Sequence, residues 1–289
     1  MTDPTPPHLL IAGLGYSGSA VAREAAALGF RVTGTARDPS RAAPPAGAEV
    51  IAFAEAGHAL GGVTHLLVTA APGEAGDPML AAHGPALAAA PALRWIGYLS
   101  TTGVYGDRGG AWVDEATPPA PGQERSRRRL EAEEAWRALA GPGRALDIFR
   151  VGGIYGPGRS AIEEMREGTA HRRLKPGHAF SRIHRDDIAL AVAAALRQGP
   201  PPGLRILHLV DDEPAESALV VEEAARLLGL PPPPAVPYEQ AAATMSPMGR
   251  SFWAENRRVS NARTKAALGI AWRYPTYREG LAAILAGGA

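Results

Sequence analysis

Short apolar runs alternate with segments of helical periodicity along residues 8–155. The first run, 8–12 (HLLIA), is long enough for a buried parallel strand. Apolar residues at helical spacing follow it and stop at Gly29, after which residues 31–35 predict a second strand. These elements form a β-α-β unit, the unit from which parallel sheets are built.

The same alternation of strands and helices continues along the chain and becomes irregular after residue 158. We therefore predict an α/β fold with a doubly wound parallel sheet, followed by a smaller second lobe. Further strands are predicted at 49–53, 64–70, 93–100, 146–151 and 205–210. Helices are predicted at 77–90, 124–140, 186–197, 217–228 and 277–285.

The composition narrows the class of protein. The 289 residues are 46% hydrophobic and 20% charged, which allows a sizeable core. Lys and Arg (30) nearly balance Asp and Glu (29), so the net charge of +1 gives no general attraction to nucleic acid or to an anionic membrane. The absence of cysteine excludes disulfides, thiolate metal sites and a cysteine nucleophile. No apolar run is long enough to span a bilayer, so a soluble, cytoplasmic protein is expected.

A glycine-rich turn follows the first predicted strand. Gly13, Gly15 and Gly18 have the spacing G-x-G-x-x-G and open a helix, which is the context that dinucleotide binding requires. The first glycine permits a tight turn, the second lets the backbone approach a pyrophosphate, and the third lets helix and strand pack closely. The helix N-terminus then favours an anion. The motif predicts a dinucleotide site, although glycine-rich turns also have purely structural roles.

The end of the second strand bears on which dinucleotide is bound. An NAD site usually has an acidic residue there, which accepts a hydrogen bond from the ribose 2′-hydroxyl. Here the strand ends at Thr35, whose hydroxyl is a further donor, and Arg37 lies just beyond, where a guanidinium would pair with a 2′-phosphate. In the alternative interpretation Arg37 is a solvated loop residue and Asp38 caps the next helix. We predict NADP as the cofactor, with NAD less favoured.

Five segments of the chain match one known family in order and spacing. They are GLGYSG at 13–18, YLSTTGVYG at 98–106, FRVGGIYGPGR at 149–159, RIHRDDIA at 182–189 and ALGIAWRYPTYREGL at 267–281. The chain thereby resembles, from end to end, the extended short-chain dehydrogenase/reductase superfamily, in its epimerase/dehydratase-like group. The resemblance implies a Rossmann-type domain (1–158 with 181–214) and a smaller, discontinuous C-terminal substrate lobe (159–180 with 215–289).

Members of that family commonly form dimers through a four-helix bundle. The resemblance therefore implies either a monomer or a homodimer that forms through the helices at 77–90 and 124–140. A small-molecule substrate is the expected partner, and neither nucleic acid nor a membrane is expected to bind.

The family's catalytic pattern is only partly present. In the family, a Ser or Thr at the end of strand five binds the reacting oxygen, and a Tyr-x-x-x-Lys pair on the next helix handles the proton and the nicotinamide ribose. Thr101 matches the hydroxyl position, whereas Arg129 matches the lysine and Arg125 the tyrosine. Arginine cannot exchange a proton, because its pKa exceeds about 12. We predict Thr101, Tyr105 and Arg129 as catalytic residues; the alternative role of Tyr105 is packing at a strand end.

Further candidates for proton transfer are weaker, because each has a solvated, capping or structural role as its alternative. They are Asp114, Glu115, His171, His178 and His184. The eight histidines lack the spacing of metal ligands, so no metal site is predicted.

The ligand contacts are predicted from the same segments. The cofactor-binding residues are Gly13, Gly15, Tyr16, Ser17, Gly18, Thr35, Arg37, Ala70, Ala71 and Arg129. The substrate-binding residues are Thr102, Arg159 and Arg182. Arg159 and Arg182 belong to a basic stretch that predicts either a pocket for a phosphate or carboxylate group or a solvated basic face. Its other members are Arg166, Arg172, Arg173 and Lys175.

Two functions from different classes follow from these features. The first is an NADP-binding oxidoreductase or epimerase/dehydratase-like enzyme that acts on a carbonyl or hydroxyl substrate, such as a nucleotide sugar, with a non-standard proton donor. The second is a catalytically inactive NADP(H)-binding sensor or scaffold protein. Arg125 and Arg129 fit this second function without strain.

Overall fold

The computed structural model describes residues 6–287, which contain thirteen strands. Seven strands form one sheet and the other six form three separate pairs. The strands are β1 (His8–Ala12), β2 (Arg31–Ala36), β3 (Ala48–Ala52), β4 (His65–Val68), β5 (Trp95–Thr101), β6 (Trp112–Val113), β7 (Ala145–Val151), β8 (Gly153–Tyr155), β9 (Arg172–Leu174), β10 (Arg182–His184), β11 (Gly203–Leu209), β12 (Ala235–Pro237) and β13 (Arg258–Val259).

Eleven α-helices flank these strands within the described residues. Over residues 6–287, none of them combines the length and the apolar character that a membrane span requires. The helices are α1 (Tyr16–Ala27), α2 (Ala56–Ala59), α3 (Pro78–Ala89), α4 (Glu124–Ala140), α5 (Ala161–Arg166), α6 (Arg185–Gln198), α7 (Ser217–Leu228), α8 (Tyr238–Ala242), α9 (Pro247–Ser251), α10 (Ala262–Leu268) and α11 (Tyr277–Gly287).

The large sheet is parallel throughout and has the order β11-β7-β5-β4-β1-β2-β3. β1 pairs with β2 on one side and with β4 on the other, so the direction of winding reverses beside β1. In sheets of this kind, ligands bind outside the carboxyl ends of the strands at that point. The predicted fold class, a Rossmann-type doubly wound α/β sheet, is confirmed.

Helices cover both faces of the sheet. All five residues of β1 are buried, which explains why its sequence is a continuous apolar run. Leu9 and Ile11 face a core that includes Val21 of α1 and Val192 of α6. The alternate residues of β1 face a second core, which contains Trp136 of α4.

A smaller core lies in the part of the chain that was predicted as the substrate lobe. Ile162 of α5, Ala224 of α7 and Leu281 of α11 pack together there. The short pairs β9–β12 and β8–β10 were not predicted, because a strand of three residues shows no periodicity. Leu268 and Trp272 depart from the predicted division, since they pack in the same core as α1 and α6.

Asp211 lies two residues after β11 and carries a buried carboxyl group. It is 1% exposed, and neither carboxylate oxygen makes a hydrogen bond to a described residue. Burial raises the pKa of Asp211 to about 8, although the Arg182 guanidinium opposes the shift. The folded protein therefore favours the neutral acid.

We expect the free energy of unfolding to fall as the pH rises from about 4 to about 8. An unfolded aspartate ionises near pH 3.9, about where model peptides do, whereas folded Asp211 keeps its proton up to about pH 8. Raising the pH through this window therefore favours the unfolded chain. Asp211→Asn cannot ionise, so it should remove this part of the pH dependence and be more stable than wild type at about pH 8. Urea denaturation across the window measures both proteins, and equal pH dependence in the two would contradict the prediction.

Candidate active site

A cleft opens at the carboxyl ends of β5 and β7, where the sheet meets the smaller lobe. Its volume is about 680 Å³, a size typical of small-molecule sites. The sheet side contributes Thr101 of β5 and Val151 of β7, and the lobe side contributes Phe180 and Ser217. The cleft therefore lies at the edge of the sheet where the topology predicts a ligand.

The glycine-rich turn connects β1 to α1 at the same edge. Gly13 has a φ of 106°, which favours glycine, and a Cβ there would lie 2.6 Å from the Thr69 hydroxyl. A Cβ on Gly18 would lie 2.5 Å from the Gly13 carbonyl oxygen. Gly15 differs, because a Cβ there would meet no described atom within 4 Å. The first and third glycines thus keep the turn compact, while the backbone of the second faces open space.

The N-terminus of α1 presents free backbone donors beside this open space. The helix begins with Tyr16 and Ser17, and in the described chain no side chain caps it and its first turn has no acidic residue. The first N–H groups of a helix have no partner within the helix, so they are available to an anion. The turn therefore has the geometry of an anion-binding site.

Tyr16 links the turn to the start of the lobe. Its hydroxyl donates to the carbonyl oxygen of Pro157 over 3.0 Å. The guanidinium carbons of Arg185 and Arg159 lie 4.8 and 6.0 Å from the centre of its ring. Two positive charges thus flank the glycine-rich turn.

At the end of β2, Thr35 and Arg37 have different environments. Thr35 is 1% exposed, and its hydroxyl accepts a hydrogen bond from the Gly13 N–H over 3.0 Å, so it supports the turn from within. Arg37 is exposed just beyond the strand. Asp38 accepts hydrogen bonds from the Ser40 N–H (3.1 Å) and hydroxyl (2.6 Å), which gives it a capping role. Arg37 takes no part in this cap, so its guanidinium is the charged group that remains available at the end of β2.

Arg129 of α4 connects the ends of β4 and β5. Its Nη1 donates to the carbonyl oxygen of Leu99 (2.8 Å), the hydroxyl of Tyr98 (3.2 Å) and the carbonyl oxygen of Ala70 (3.4 Å). Its other guanidinium nitrogens make no hydrogen bond to a described residue, and both Arg129 and Ala71 line the cleft. Arg129 therefore presents positive charge and unused donors to a ligand.

Three hydroxyl groups line the cleft beside Arg129. Thr101 is the last residue of β5, and its hydroxyl accepts a hydrogen bond from the Gly103 N–H over 3.0 Å. Thr102 and Ser126 are buried next to it. A Cβ on Gly103 would lie 2.7 Å from the Ser126 hydroxyl, so this glycine allows the group to approach. These hydroxyls can orient the oxygen of a carbonyl or an alcohol.

Arg125, at the position of the family's tyrosine, contacts side chains of the smaller lobe. Its guanidinium carbon lies 4.0 Å from the centre of the Phe252 ring. It donates to the Ser251 hydroxyl over 2.7 Å and to the Met248 sulfur over 3.2 Å. The segment around α9 therefore covers one side of the cleft. This segment was not predicted from the sequence, because a helix of five residues is too short to show a periodic pattern.

Tyr105 does not reach the cleft, which corrects its predicted catalytic role. It is fully buried, and its hydroxyl accepts a hydrogen bond from Arg150 (2.7 Å) and lies 2.6 Å from Nε2 of His208. Burial raises the pKa of Tyr105 to about 12. Arg150 also forms a buried ion pair with Glu133 (2.7 Å), which accepts a hydrogen bond from the Ser100 hydroxyl. Tyr105 thus has its alternative role, packing at the strand end.

The weaker candidates for proton transfer also lie outside the cleft. In the described part of the chain, the cleft lining contains no tyrosine, histidine or lysine. Burial lowers the pKa values of His178 and His184 to about 4. Glu255, which sequence analysis did not single out, is the one carboxylate in the described lining, and it accepts hydrogen bonds from Arg257 (3.0 Å) and the Gly122 N–H (3.2 Å). The other candidates outside the lining are Asp114, Glu115 and His171.

The basic stretch divides into two groups by position. Arg159, Arg173 and Arg182 line the cleft. Arg182 is fixed in place, because its Nη1 donates to the carbonyl oxygens of Phe180 and Ala215, each over 2.9 Å. The others lie elsewhere: Arg172 pairs with Glu222, Lys175 donates to the Trp253 carbonyl oxygen, and Arg166 is exposed.

Two known proteins are similar in sequence to most of this chain. The 3-diazoavenalumate denitrifying reductase of a Streptomyces species is 32% identical over 228 residues, which cover 76% of this chain and 68% of that protein. Protein YeeZ of Escherichia coli K12 is 30% identical over 239 residues, which cover 77% of this chain and 84% of that protein. No protein-family model matches the chain.

Solved structures share the fold over nearly the whole length. A conserved protein of unknown function from Silicibacter pomeroyi is 46% identical, with a TM-score of 0.88 over 98% of this chain and 99% of that chain. The human epimerase family protein SDR39U1 with NADPH is 20% identical, with a TM-score of 0.73 over 96% and 98%. MoeE5 in complex with UDP-glucuronic acid and NAD is 19% identical, with a TM-score of 0.77 over 98% and 100%.

The last two structures support the fold alone, whereas the sequence relatives cover enough of both chains to establish kinship. The glycine-rich turn at the switch point and the cleft at the end of β5 agree with that kinship. A putative NAD-dependent epimerase/dehydratase from Methylobacillus flagellatus is 28% identical, with a TM-score of 0.73 over 98% of this chain and 99% of that chain. The chain belongs to the extended, atypical short-chain dehydrogenase/reductase superfamily.

Proposed function

We propose that the protein is an NADP-dependent oxidoreductase or epimerase/dehydratase-like enzyme that acts on a carbonyl or hydroxyl group. The observation that carries the proposal is the open backbone at Gly15, beside the free N-terminus of α1 and at the edge of the sheet where the cleft lies. The name of one relative describes a reductase, and two structures of the same fold contain NADPH or NAD.

The residues of the turn fit a dinucleotide. The space beside Gly15 would admit a pyrophosphate, which the first N–H groups of α1 would bind as an anion. Arg129 would hold the nicotinamide ribose with the guanidinium nitrogens that it does not use in the protein. When bound, the nicotinamide supplies or accepts a hydride.

Exposed Arg37 supports NADP over NAD. No carboxylate ends β2, and the carboxylate of Asp38 is engaged by Ser40. A free guanidinium at this position would pair with the 2′-phosphate of NADP, whereas an acidic residue would repel it.

The chain's own groups would position the substrate. The Thr101 and Ser126 hydroxyls would hold the reacting oxygen at the end of β5. Glu255 is the candidate for proton exchange, because it is the one carboxylate in the described lining. The ion pair with Arg257 keeps it oriented.

Replacing Arg37 tests the cofactor. We expect Arg37→Ala to weaken NADPH binding by about tenfold or more, since a charge-assisted hydrogen bond is lost, and to leave NADH binding unchanged. Isothermal titration calorimetry with both dinucleotides measures the change. Arg41→Ala is the matched control, because Arg41 lies in the adjacent 3₁₀ turn. Wild-type protein that binds NADH as tightly as NADPH would contradict the NADP proposal, and failure to bind either would overturn the proposed function.

The sensor remains the second candidate, and one observation favours it. Arg125 occupies the position of the family's tyrosine and is bonded to Ser251, and an arginine cannot replace the tyrosine in proton exchange. Tight NADPH binding without oxidation of NADPH by any member of a panel of aldehydes and ketones would favour the sensor over the enzyme.

A further inference from the structure

The cleft has an excess of positive charge that the protein itself does not use. Its described lining contains six arginines and one carboxylate, that of Glu255. Four of the arginines have partners in the protein. They are Arg125 with Ser251, Arg129 with Leu99, Arg182 with Phe180, and Arg257 with Glu255.

Arg159 and Arg173 are different, because their guanidinium groups make no hydrogen bond or ion pair with a described residue. Arg173 belongs to the lobe side of the cleft, whereas Arg159 lies between the lobe and the glycine-rich turn, with its guanidinium carbon 6.0 Å from the centre of the Tyr16 ring. A guanidinium that faces a cleft without a partner is suited to a planar carboxylate, which it binds through two parallel hydrogen bonds. The unused charge therefore indicates an anionic group on the substrate.

The wall beside these arginines is aromatic and rigid. Trp253 is 6% exposed, with its ring stacked against Tyr238 at 5.0 Å and His178 at 5.6 Å. Phe180 meets the Trp253 ring edge-on at 5.0 Å. Both Phe180 and Trp253 line the cleft. These contacts bury nearly all of Trp253, so Phe180, which is half-buried, is the ring of this wall that a flat, apolar body would cover.

Two further apolar side chains lie at the cleft and are largely exposed. Met248 is 62% exposed and Phe252 is 54% exposed, although both line the cleft. Large apolar groups that remain this exposed at a cleft gain free energy when a ligand covers them.

The lining lacks the side chains that best match the edge of a nucleobase. Such an edge presents both donors and acceptors, and Asn and Gln offer both in one side chain. The described lining contains neither of these residue types. Of its seven hydroxyl side chains, Ser100, Thr101, Thr102 and Ser126 lie on the sheet side, where the reacting oxygen is expected, and the others are Ser181, Ser217 and Ser251.

We infer that the substrate is a small organic acid with a flat, unsaturated or aromatic body. Its carboxylate would pair with Arg173, and its body would lie against Phe180 and Phe252. This inference rests on the proposed function, because it concerns the second ligand of the same cleft.

The inference is tested with four probes and the wild-type protein, by calorimetric titration in the presence and absence of NADPH. The probes are trans-cinnamate, its neutral analogue trans-cinnamamide, propionate, which lacks the ring, and UDP-glucose. We expect trans-cinnamate to bind at least about tenfold more tightly than each of the other three, because only it satisfies both the charge and the apolar wall.

Single substitutions test which residues bind the carboxylate and the ring of trans-cinnamate. Arg173→Gln should weaken trans-cinnamate binding by about 10- to 100-fold and leave trans-cinnamamide unchanged, because a hydrogen-bonded ion pair is lost. Arg166→Gln removes the same charge from the same lobe outside the cleft, and should have no effect. Phe252→Ala should weaken both cinnamyl probes equally, which provides a second test should Arg173→Gln fail to fold.

The outcomes separate the two proposals. NADPH binding with no preference for trans-cinnamate, or with tighter binding of UDP-glucose, would overturn the inference and leave the proposed function standing. Equal loss of trans-cinnamate binding in Arg173→Gln and Arg166→Gln would also overturn it. Failure to bind NADPH or NADH would overturn the proposed function instead.

Discussion

Gly15→Val is expected to weaken NADPH binding on the order of 100-fold while changing the melting temperature by no more than about 2 °C. The added side chain would meet no described atom within 4 Å, so it would be accommodated in the free protein. Gly15 is the N-cap residue of α1, with φ −94° and ψ −156°, so the substitution needs no positive φ. A valine N-cap is less favourable than glycine by about 1 kcal/mol, which lowers the melting temperature of a chain of this size by about 2 °C. The same side chain would fill the space through which a pyrophosphate approaches the turn. Calorimetry with NADPH and thermal denaturation measure the two effects.

Gly18→Ala provides the contrast. Its Cβ would lie 2.5 Å from the Gly13 carbonyl oxygen, so helix and strand would have to move apart. We expect this variant to lose both stability and NADPH affinity. A Gly15→Val protein that binds NADPH as tightly as wild type would show that the turn is not the dinucleotide site.

Glu133→Ala is expected to lower the free energy of unfolding by about 3–5 kcal/mol, and the melting temperature by roughly 10 °C. Glu133 and Arg150 are 2% and 3% exposed in their side chains and form an ion pair at 2.7 Å. The truncation leaves the Arg150 guanidinium buried without its counter-ion, and it also removes the acceptor of the Ser100 hydroxyl. Thermal and urea denaturation measure the loss.

The neighbouring residue on the same helix is the matched control. Glu134 pairs with Arg137 at 3.5 Å, and both side chains are more than half exposed. Glu134→Ala should change the free energy of unfolding by less than about 0.5 kcal/mol, because exposed pairs contribute little. If the two alanine variants were equally stable, the buried pair would not have the role described for it.

The centre of the sheet could be predicted from the sequence because its strands are buried on both faces. Residues 8–12 and 65–68 are continuous apolar runs or nearly so, and all nine of these residues are buried. The glycine-rich turn could be predicted for a related reason, since its geometry depends on residues close together in the chain. Local spacing was sufficient for both features.

The rest of the cleft could not be predicted, because its walls are assembled from distant parts of the chain. Arg125 meets Phe252 and Ser251 across more than a hundred residues. Glu255 and Trp253 lie in a stretch without long elements, so no periodic pattern marked them. The catalytic role predicted for Tyr105 was wrong for the opposite reason. Tyr105 is close to Thr101 in sequence, but its hydroxyl is buried against Arg150 and His208.

The contact of Tyr16 with the Pro157 carbonyl has a consequence for the order in which ligands associate. The first turn of α1 is thereby attached to the loop that carries Arg159, and Arg159 lies at the rim of the cleft. A molecule that settles on the turn would restrict the motion of that loop before a second molecule reaches it. We therefore expect the dinucleotide to arrive first and to depart last, as in a compulsory-order reaction.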